Sequence, residues 1–439
     1  MDPLTTMRNR IVSRKLSIAA GWFAVAVYGA QPQPQILPPL TLQDCIRLAE
    51  SAPSAVSVAR QEREIAVRGV TQARAGFLPQ SQWANGFIYN SPLLYDRKTF
   101  SFIPSNGIRE YASLITINQE FDTSGRLRAD MSRARAAQDA AVTSVALAQR
   151  DLRRAVATAY YRALLTRRLV LVTKEALAES QSFEKRTRLL FEGGEAAQAD
   201  VIKASAQVAF LAQALNAAEL EAKLANQELA SFWTREVADP LPLVDVLEET
   251  PPSPEPSAAQ GAPFLKRLEF GIFEAQQRGI QADVRRARSG LLPQVGFSFQ
   301  YGLDSTAIRI RDRGYAAFVN LNIPIFDWNK ARTAMQQARL RSQQNEAARA
   351  IAERTFSKEY ESALARVKQL FEQIELTRQQ AKLAGEDLRL SRIRYEGGEG
   401  SALDVVTAQN QLAQARSNYY TTIANYLNAR ADLEVASGK

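Results

Sequence analysis

RLLFEGGEAAQADVIKASAQVAFLAQAL, from Arg188 to Leu215, and RIRYEGGEGSALDVVTAQNQLAQARSNY, from Arg392 to Tyr419, align without a gap. The alignment pairs Gly193 with Gly397, Gly194 with Gly398 and Asp200 with Asp404. One pattern written twice, some two hundred residues apart, marks a duplicated half. In each copy an apolar-periodic run reaches Glu-Gly-Gly and resumes beyond it. This predicts helix, tight reversal and helix, with glycine supplying the positive φ of the turn.

Proline placement extends both copies outward. The chain has 18 prolines, and none falls between Phe121 and Pro240 or after Pro324. Two windows, from about Ser124 to Leu190 and from about Asn329 to Arg394, are therefore free to be uninterrupted helix. At 1.5 Å per residue each is roughly 100 Å long, far beyond what one globular core supports, so such helices must lie side by side. Seams stepping by three and four support this packing. One runs Val201, Ala204, Val208, Leu211, Leu215, Ala218, Ala222, Ala225 and Leu229. Its counterpart runs from Val367 through Leu370, Ile374, Thr377, Ala381 and Ala384 to Leu388, then from Val405 through Ala408, Leu412, Ala415, Tyr419, Thr422 and Tyr426 to Leu433.

Upstream of each long window the period changes from 3.6 to 2. After Pro79, Trp83, Phe87 and Tyr89 share one face, with Gln82, Ala84 and Gly86 opposite. A polar loop leads to Tyr111–Phe121, where Ile115 and Ile117 alternate with Thr116 and Asn118. After Pro293, Val295, Phe297, Phe299 and Tyr301 alternate with Gln294, Gly296, Ser298 and Gln300, and 315–326 is the partner strand. These are two β-hairpins, over 79–121 and 292–326. Each strand has the length and alternation of a membrane strand, although two surface hairpins on a soluble domain fit the same pattern. Four strands close no barrel, and an open edge in hydrocarbon strands backbone groups at several kcal/mol each. In a membrane, several chains must share one barrel.

The remaining segments set the boundaries. Residues 1–30 begin basic and continue through apolar LSIAAGWFAVAVYGA to polar QPQPQ, which reads as a cleaved secretory signal, with a retained anchor as the alternative. No cysteine stands near Ala30 to carry a lipid. The first repeat then occupies 31–239, a proline-rich connector 240–263 and the second repeat 264–439. From Leu40 to about Arg74 the pattern is helical, broken near Pro53, with Ser51 and Ser54 available as caps.

Composition narrows the function classes. The chain contains no histidine and one cysteine, Cys45. That removes histidine-dependent triads, histidine metal sites and any intrachain disulfide. No cofactor site is legible, and an enzyme is a distant reading. Cys45 lies on the apolar face of a short helix, where core packing competes with a reactive thiol. Of the net charge of +9, the cluster Arg8, Arg10, Arg14 and Lys15 against Asp2 accounts for +3. The rest is spread in both signs without a basic block interleaved with aromatics, so nucleic acid is not a partner. The loop arginines Arg309, Arg311 and Arg313 read either as solvated charges or as contacts to anionic lipid headgroups.

Long paired helices, two β-hairpins, a duplication, a secretory signal and G-x5-D-V-x2-A after each turn together resemble the TolC family of outer-membrane efflux proteins. The resemblance covers about Leu40 to Ala436. It implies a mainly α chain whose hairpins form a trimeric α-barrel, continuous with a shared 12-stranded transmembrane β-barrel in the outer membrane of a diderm bacterium. It implies a passive exit duct serving tripartite efflux or type I secretion. Its partners would be two sister chains, a periplasmic adaptor (membrane fusion) protein, an inner-membrane transporter of RND, ABC or MFS type, and outer-membrane lipid. It further implies a periplasmic aperture at Asp404 and Tyr395, with Asp200 as the first-repeat equivalent of the aperture acid. Where relatives place a second acid and a basic latch, this chain has Thr407 and Gly400, which predicts a single carboxylate ring, loosely latched. Asp404 and Asp200 also suit helix N-termini as dipole-facing acids. The tips at Gly193, Gly194, Gly397 and Gly398 read as adaptor-docking points or as solvated turns. A soluble periplasmic coiled-coil adaptor is the rival reading; it explains the hairpins but not the amphipathic strands.

Overall fold

The computed structural model describes residues 39–92, 108–235, 240–249, 251–253 and 262–438. The expected signal at 1–30 lies outside them, as do parts of the first hairpin loop and of the connector. Helices α1 (Leu42–Ser51) and α2 (Ala55–Ala75) are separated at Pro53. Thr41 starts α1 with a reciprocal cap: its hydroxyl accepts the Asp44 N–H at 3.2 Å, and the Asp44 carboxylate accepts the Thr41 N–H at 3.0 Å. Strands β1 (Gln80–Tyr89) and β2 (Arg109–Phe121) precede α3 (Arg126–Glu192) and α4 (Gln198–Ala230). In the second copy α5 (Leu268–Ser289), β3 (Gln294–Ser305) and β4 (Arg313–Asn322) precede α6 (Lys330–Glu396) and α7 (Ala402–Ala436).

The two long helices are 67 residues each, which at 1.5 Å per residue is ~100 Å. Helix α3 packs on α4, α6 on α7, and α7 on α3, while α2 and α5 flank the sheet-proximal part of α3. Every seam residue predicted from the heptads is at least half-buried, and Ala204, Val405, Ala408 and Ala415 are fully so. Small residues there let helix backbones approach closely.

The larger core gathers α1, α3, α4, α6 and α7 around Tyr160, Leu164, Leu229, Ile423 and Tyr426. The Tyr160 hydroxyl donates to the Val244 carbonyl at 2.7 Å and that of Tyr426 to the Pro252 carbonyl at 2.5 Å, so each buried phenol is satisfied. Cys45 sits in this core with no exposure, and burial pushes its thiol up to about 11. The thiol is a packing group.

The connector is more than an extended tether. Leu241 and Leu247 are buried in the core, Leu243 bridges to Leu40, and Arg168 holds Asp245 at 2.5 Å and Glu248 at 2.6 Å. The leucines between its prolines anchor it, a feature that proline content alone conceals.

The four strands form one antiparallel sheet in the order β1-β2-β3-β4. Its register carries one side-chain parity across all strands: Trp83 faces Ile115, Ile115 faces Tyr301, and Tyr301 faces Tyr315. Phe121, Val295 and Leu321 end the same apolar face, while Gln82, Thr116 and Gln300 line the other. Trp83 is 70 % and Val319 75 % exposed, so none of the described residues covers the apolar side. Strand β4 stops at Asn322, short of the predicted Phe326, because Pro324 has no N–H to continue the ladder. No helix among the described residues is long and apolar enough to cross a membrane.

Candidate functional site at the hairpin tips

Both long helices end in the same hydrogen-bonded turn. The Glu195 N–H donates to the Leu190 carbonyl at 2.8 Å and the Gly194 N–H to the Phe191 carbonyl at 3.0 Å. In the second copy Glu399 donates to Arg394 at 2.9 Å and Gly398 to Tyr395 at 3.1 Å. This is the Schellman arrangement, which satisfies carbonyls that a helix end leaves open. Only the second glycine of each pair needs the left-handed region, with φ of 77° at Gly194 and 75° at Gly398. Gly193 and Gly397 remain right-handed caps. All four are exposed.

Past the turn the copies diverge. Ser401 caps α7: its hydroxyl accepts the Asp404 N–H at 3.2 Å, and the Asp404 carboxylate accepts the Ser401 N–H at 2.9 Å. The Ser401 bonds hold this exposed carboxyl below its ordinary value, with Arg394 adding attraction. In the first copy the capping position is Ala197, which has no side chain to offer, and Asp200 pairs instead with Lys203 at 3.6 Å. Two acids aligned in sequence thus have different local partners. Gly400 donates its N–H to the Arg394 carbonyl at 3.0 Å, and a Cβ there would sit 3.1 Å from the Tyr395 nitrogen. A side chain at Gly400 would therefore crowd the turn.

Tyr395 is buried, edge-on to Phe183 at 5.2 Å, in a small core with Ala204, Leu388, Ala402, Val405 and Ala408. The structure therefore places the Tyr395 ring between the two hairpins and leaves the Asp404 carboxylate in solvent. Ties that the sequence reading missed join the hairpins. Arg186 meets Glu396 at 3.3 Å, Arg416 meets Glu175 at 2.7 Å, Arg392 contacts Glu179, and Gln207 donates to Asn410 at 2.6 Å. The i,i+4 spacing of Glu175 and Glu179 marked one face of α3, but nothing in the heptads showed which distant arginines meet it. Exposed pairs of this kind contribute about 0–1 kcal/mol each.

A pair of helical hairpins, each with one arm of ~100 Å, bearing an amphipathic sheet with two free edges, defines the class of outer-membrane channel subunits. The chain belongs to the outer membrane efflux protein family, which it matches over residues 46–234 and 267–439. It is 23% identical over 397 residues to nodulation protein T of Rhizobium leguminosarum bv. viciae, covering 87% of this chain and 78% of that one. It is 26% identical over 267 residues to the pyoverdine export outer membrane protein OpmQ of Pseudomonas aeruginosa, covering 60% of this chain and 56% of that one. Its fold is similar to that of the Campylobacter jejuni CmeC outer membrane channel, with a TM-score of 0.82 at 17% identity, covering 90% of this chain and 85% of that chain. The protein is thus an efflux-channel subunit of the outer membrane, and the soluble-adaptor reading gives way.

Proposed function

We propose that three copies pool their sheets into one 12-stranded transmembrane barrel and their hairpins into a helical tube, forming a passive exit duct from the periplasm to the outside. The observation that carries this reading is the sheet. Its apolar face is uncovered, and β1 and β4 present unpaired backbone edges, which hydrocarbon tolerates only after closure. Pairing β1 of one copy with β4 of the next removes every edge. The three Asp404 carboxylates would ring the periplasmic aperture, with Tyr395 bracing the helix pair beside each acid and Asp200 outside the ring. The tips at Gly193, Gly194, Gly397 and Gly398 would receive a periplasmic adaptor, and an inner-membrane transporter would supply the energy. The chain itself performs no chemistry in this scheme.

Because Cys45 is the sole cysteine, a Cys45→Ala background allows a direct test. Cysteines introduced pairwise into β1 and β4 on the polar face, for example at Gln82 and Ala316 and at neighbouring positions of the same parity, scan the register between copies. Oxidation of the membrane-extracted protein is expected to yield covalent species up to the trimer for at least one pair. A ladder stopping at monomer for every register, with the protein extractable without detergent, overturns the reading.

A further inference from the structure

On two strands the apolar face ends, on the side away from the helices, in a tyrosine followed by an arginine: Tyr111 and Arg109 on β2, Tyr315 and Arg313 on β4. Tyr89, Tyr111, Tyr301 and Tyr315 share the face that carries Trp83, Ile115, Phe299 and Val319; Tyr301 and Tyr315 lie level with Trp83 and Ile115, and Tyr111 and Tyr89 lie farther from the helices. Arg109 lies opposite Tyr89, two residues beyond Tyr111 on β2, and Arg313 lies opposite Leu303, two residues beyond Tyr315 on β4, both on that same face. The β3–β4 connection adds Arg309 and Arg311, alternating with the exposed Ile308 and Ile310. None of these four arginines forms an ion pair with a carboxylate among the described residues.

The acids at this end are segregated from them. Glu110 pairs in register with Ile88, and Asp304 with Ala112, which puts both carboxylates on the polar face. Asp312, in the connection, is turned to the Ser305 hydroxyl at 3.5 Å. Along β2 and along β4 this face therefore passes from aliphatic residues to tyrosine to uncompensated guanidinium. This is the order of hydrocarbon, interface and phosphate in a lipid leaflet. A strand rises about 3.3 Å per residue, so each of these arginines stands roughly 7 Å beyond the tyrosine that precedes it on its strand.

We propose that Arg109, Arg309, Arg311 and Arg313 form a binding surface for phosphorylated lipid of the outer leaflet, with phosphomonoester headgroups as the preferred ligand. Guanidinium groups donate two parallel hydrogen bonds to a phosphate, and a dianionic monoester accepts from several arginines at once. Ile308 and Ile310 supply apolar contact to the acyl chains' upper carbons. The surface rests on the membrane-embedded reading above, and it adds a ligand class and its residues.

The test uses the full-length detergent-solubilised protein and three probes at equal concentration: a diphosphorylated glucosamine-disaccharide lipid, its dephosphorylated counterpart and inorganic phosphate. Lipid retained in native mass spectra and the thermal midpoint are read for wild type, for the Arg109→Gln, Arg309→Gln, Arg311→Gln, Arg313→Gln variant, and for an Arg332→Gln, Arg339→Gln control on α6. The expected result is retention of the phosphorylated lipid by wild type and control with a raised midpoint, and a loss of roughly tenfold or more in the quadruple variant. Equal retention of phosphorylated and dephosphorylated lipid by every variant overturns the proposal while leaving the duct intact. A midpoint shift by inorganic phosphate equal to that by the lipid also overturns it, since the surface is then a simple anion site. A wild-type protein that is monomeric and needs no detergent removes the duct reading, and the lipid surface with it.

Discussion

Gly194 and Gly398 hold φ of 77° and 75° with open space where a Cβ would be, so the obstacle to a side chain is backbone conformation and not crowding. A left-handed alanine costs about 1–2 kcal/mol. Gly194→Ala or Gly398→Ala is expected to raise local opening of its tip by roughly tenfold in hydrogen exchange, whereas Gly193→Ala, at a right-handed position where an added Cβ meets only ordinary contacts, leaves protection unchanged or higher. The Glu-Gly-Gly motif announced the turn, but only the hydrogen-bond pattern distinguishes the strained glycine from the cap. Asp404 shows the same limit: its alignment with Asp200 was legible, while the dependence of its cap on Ser401, against Ala197 in the other copy, required three dimensions. Its folded pKa is depressed. Its contribution to the α7 terminus is therefore complete above the ordinary carboxylate value near 3.9 and is lost as pH falls through the lower folded value. In planar bilayers, cation preference from the proposed carboxylate ring should hold at neutral pH and fade only as pH falls through that lowered value, beneath the ordinary carboxylate range. Asp404→Ala should show the reduced preference at every pH. Unchanged selectivity and unchanged block by trivalent cations in that variant would remove the ring.

At the scale of elements, the helices were the most legible part of the chain, because absent proline and a sustained seam are one-dimensional signals. The predicted windows and the observed α3 and α6 differ by only a few residues at either end. The connector was least legible: Leu241 and Leu247 are core residues set in a proline-rich context whose average composition reads as tether. The alternating strands were readable as pairs, but that β2 joins β3 to merge the two copies into one sheet is a long-range pairing no local pattern encodes. The seams admit a sharp test. Ala204 and Ala408 have 0 % and 1 % exposure in the tip core, where helix backbones approach. Ala408→Leu is expected to cost about 1–3 kcal/mol by overpacking, seen as faster limited proteolysis of the α6–α7 hairpin, while a substitution at exposed Leu383 on α6 leaves the cleavage rate unchanged.

At the scale of the whole molecule, duplication is the organising fact. Each copy supplies two strands, one long helix and the shorter helix that returns from its tip, and the sheet and the tip contacts each draw on both copies. In the proposed duct the strands anchor one end in lipid while the tips face an adaptor. Those two ends are joined only by α-helix, which neither stretches nor compresses appreciably. The equality of α3 and α6, 67 residues each, makes the subunit a measuring rod: helix length fixes the gap it bridges at ~100 Å. Excising seven residues from α3 and the facing seven from α4 is expected to leave the first tip one heptad, about 10 Å, above the second. That would separate Tyr395 from Phe183 and abolish export in a substrate-efflux assay. Matched excision from α6 and α7 as well should restore level tips, and transport should then return only in cells whose membranes are drawn closer by shortening the envelope's own tethers.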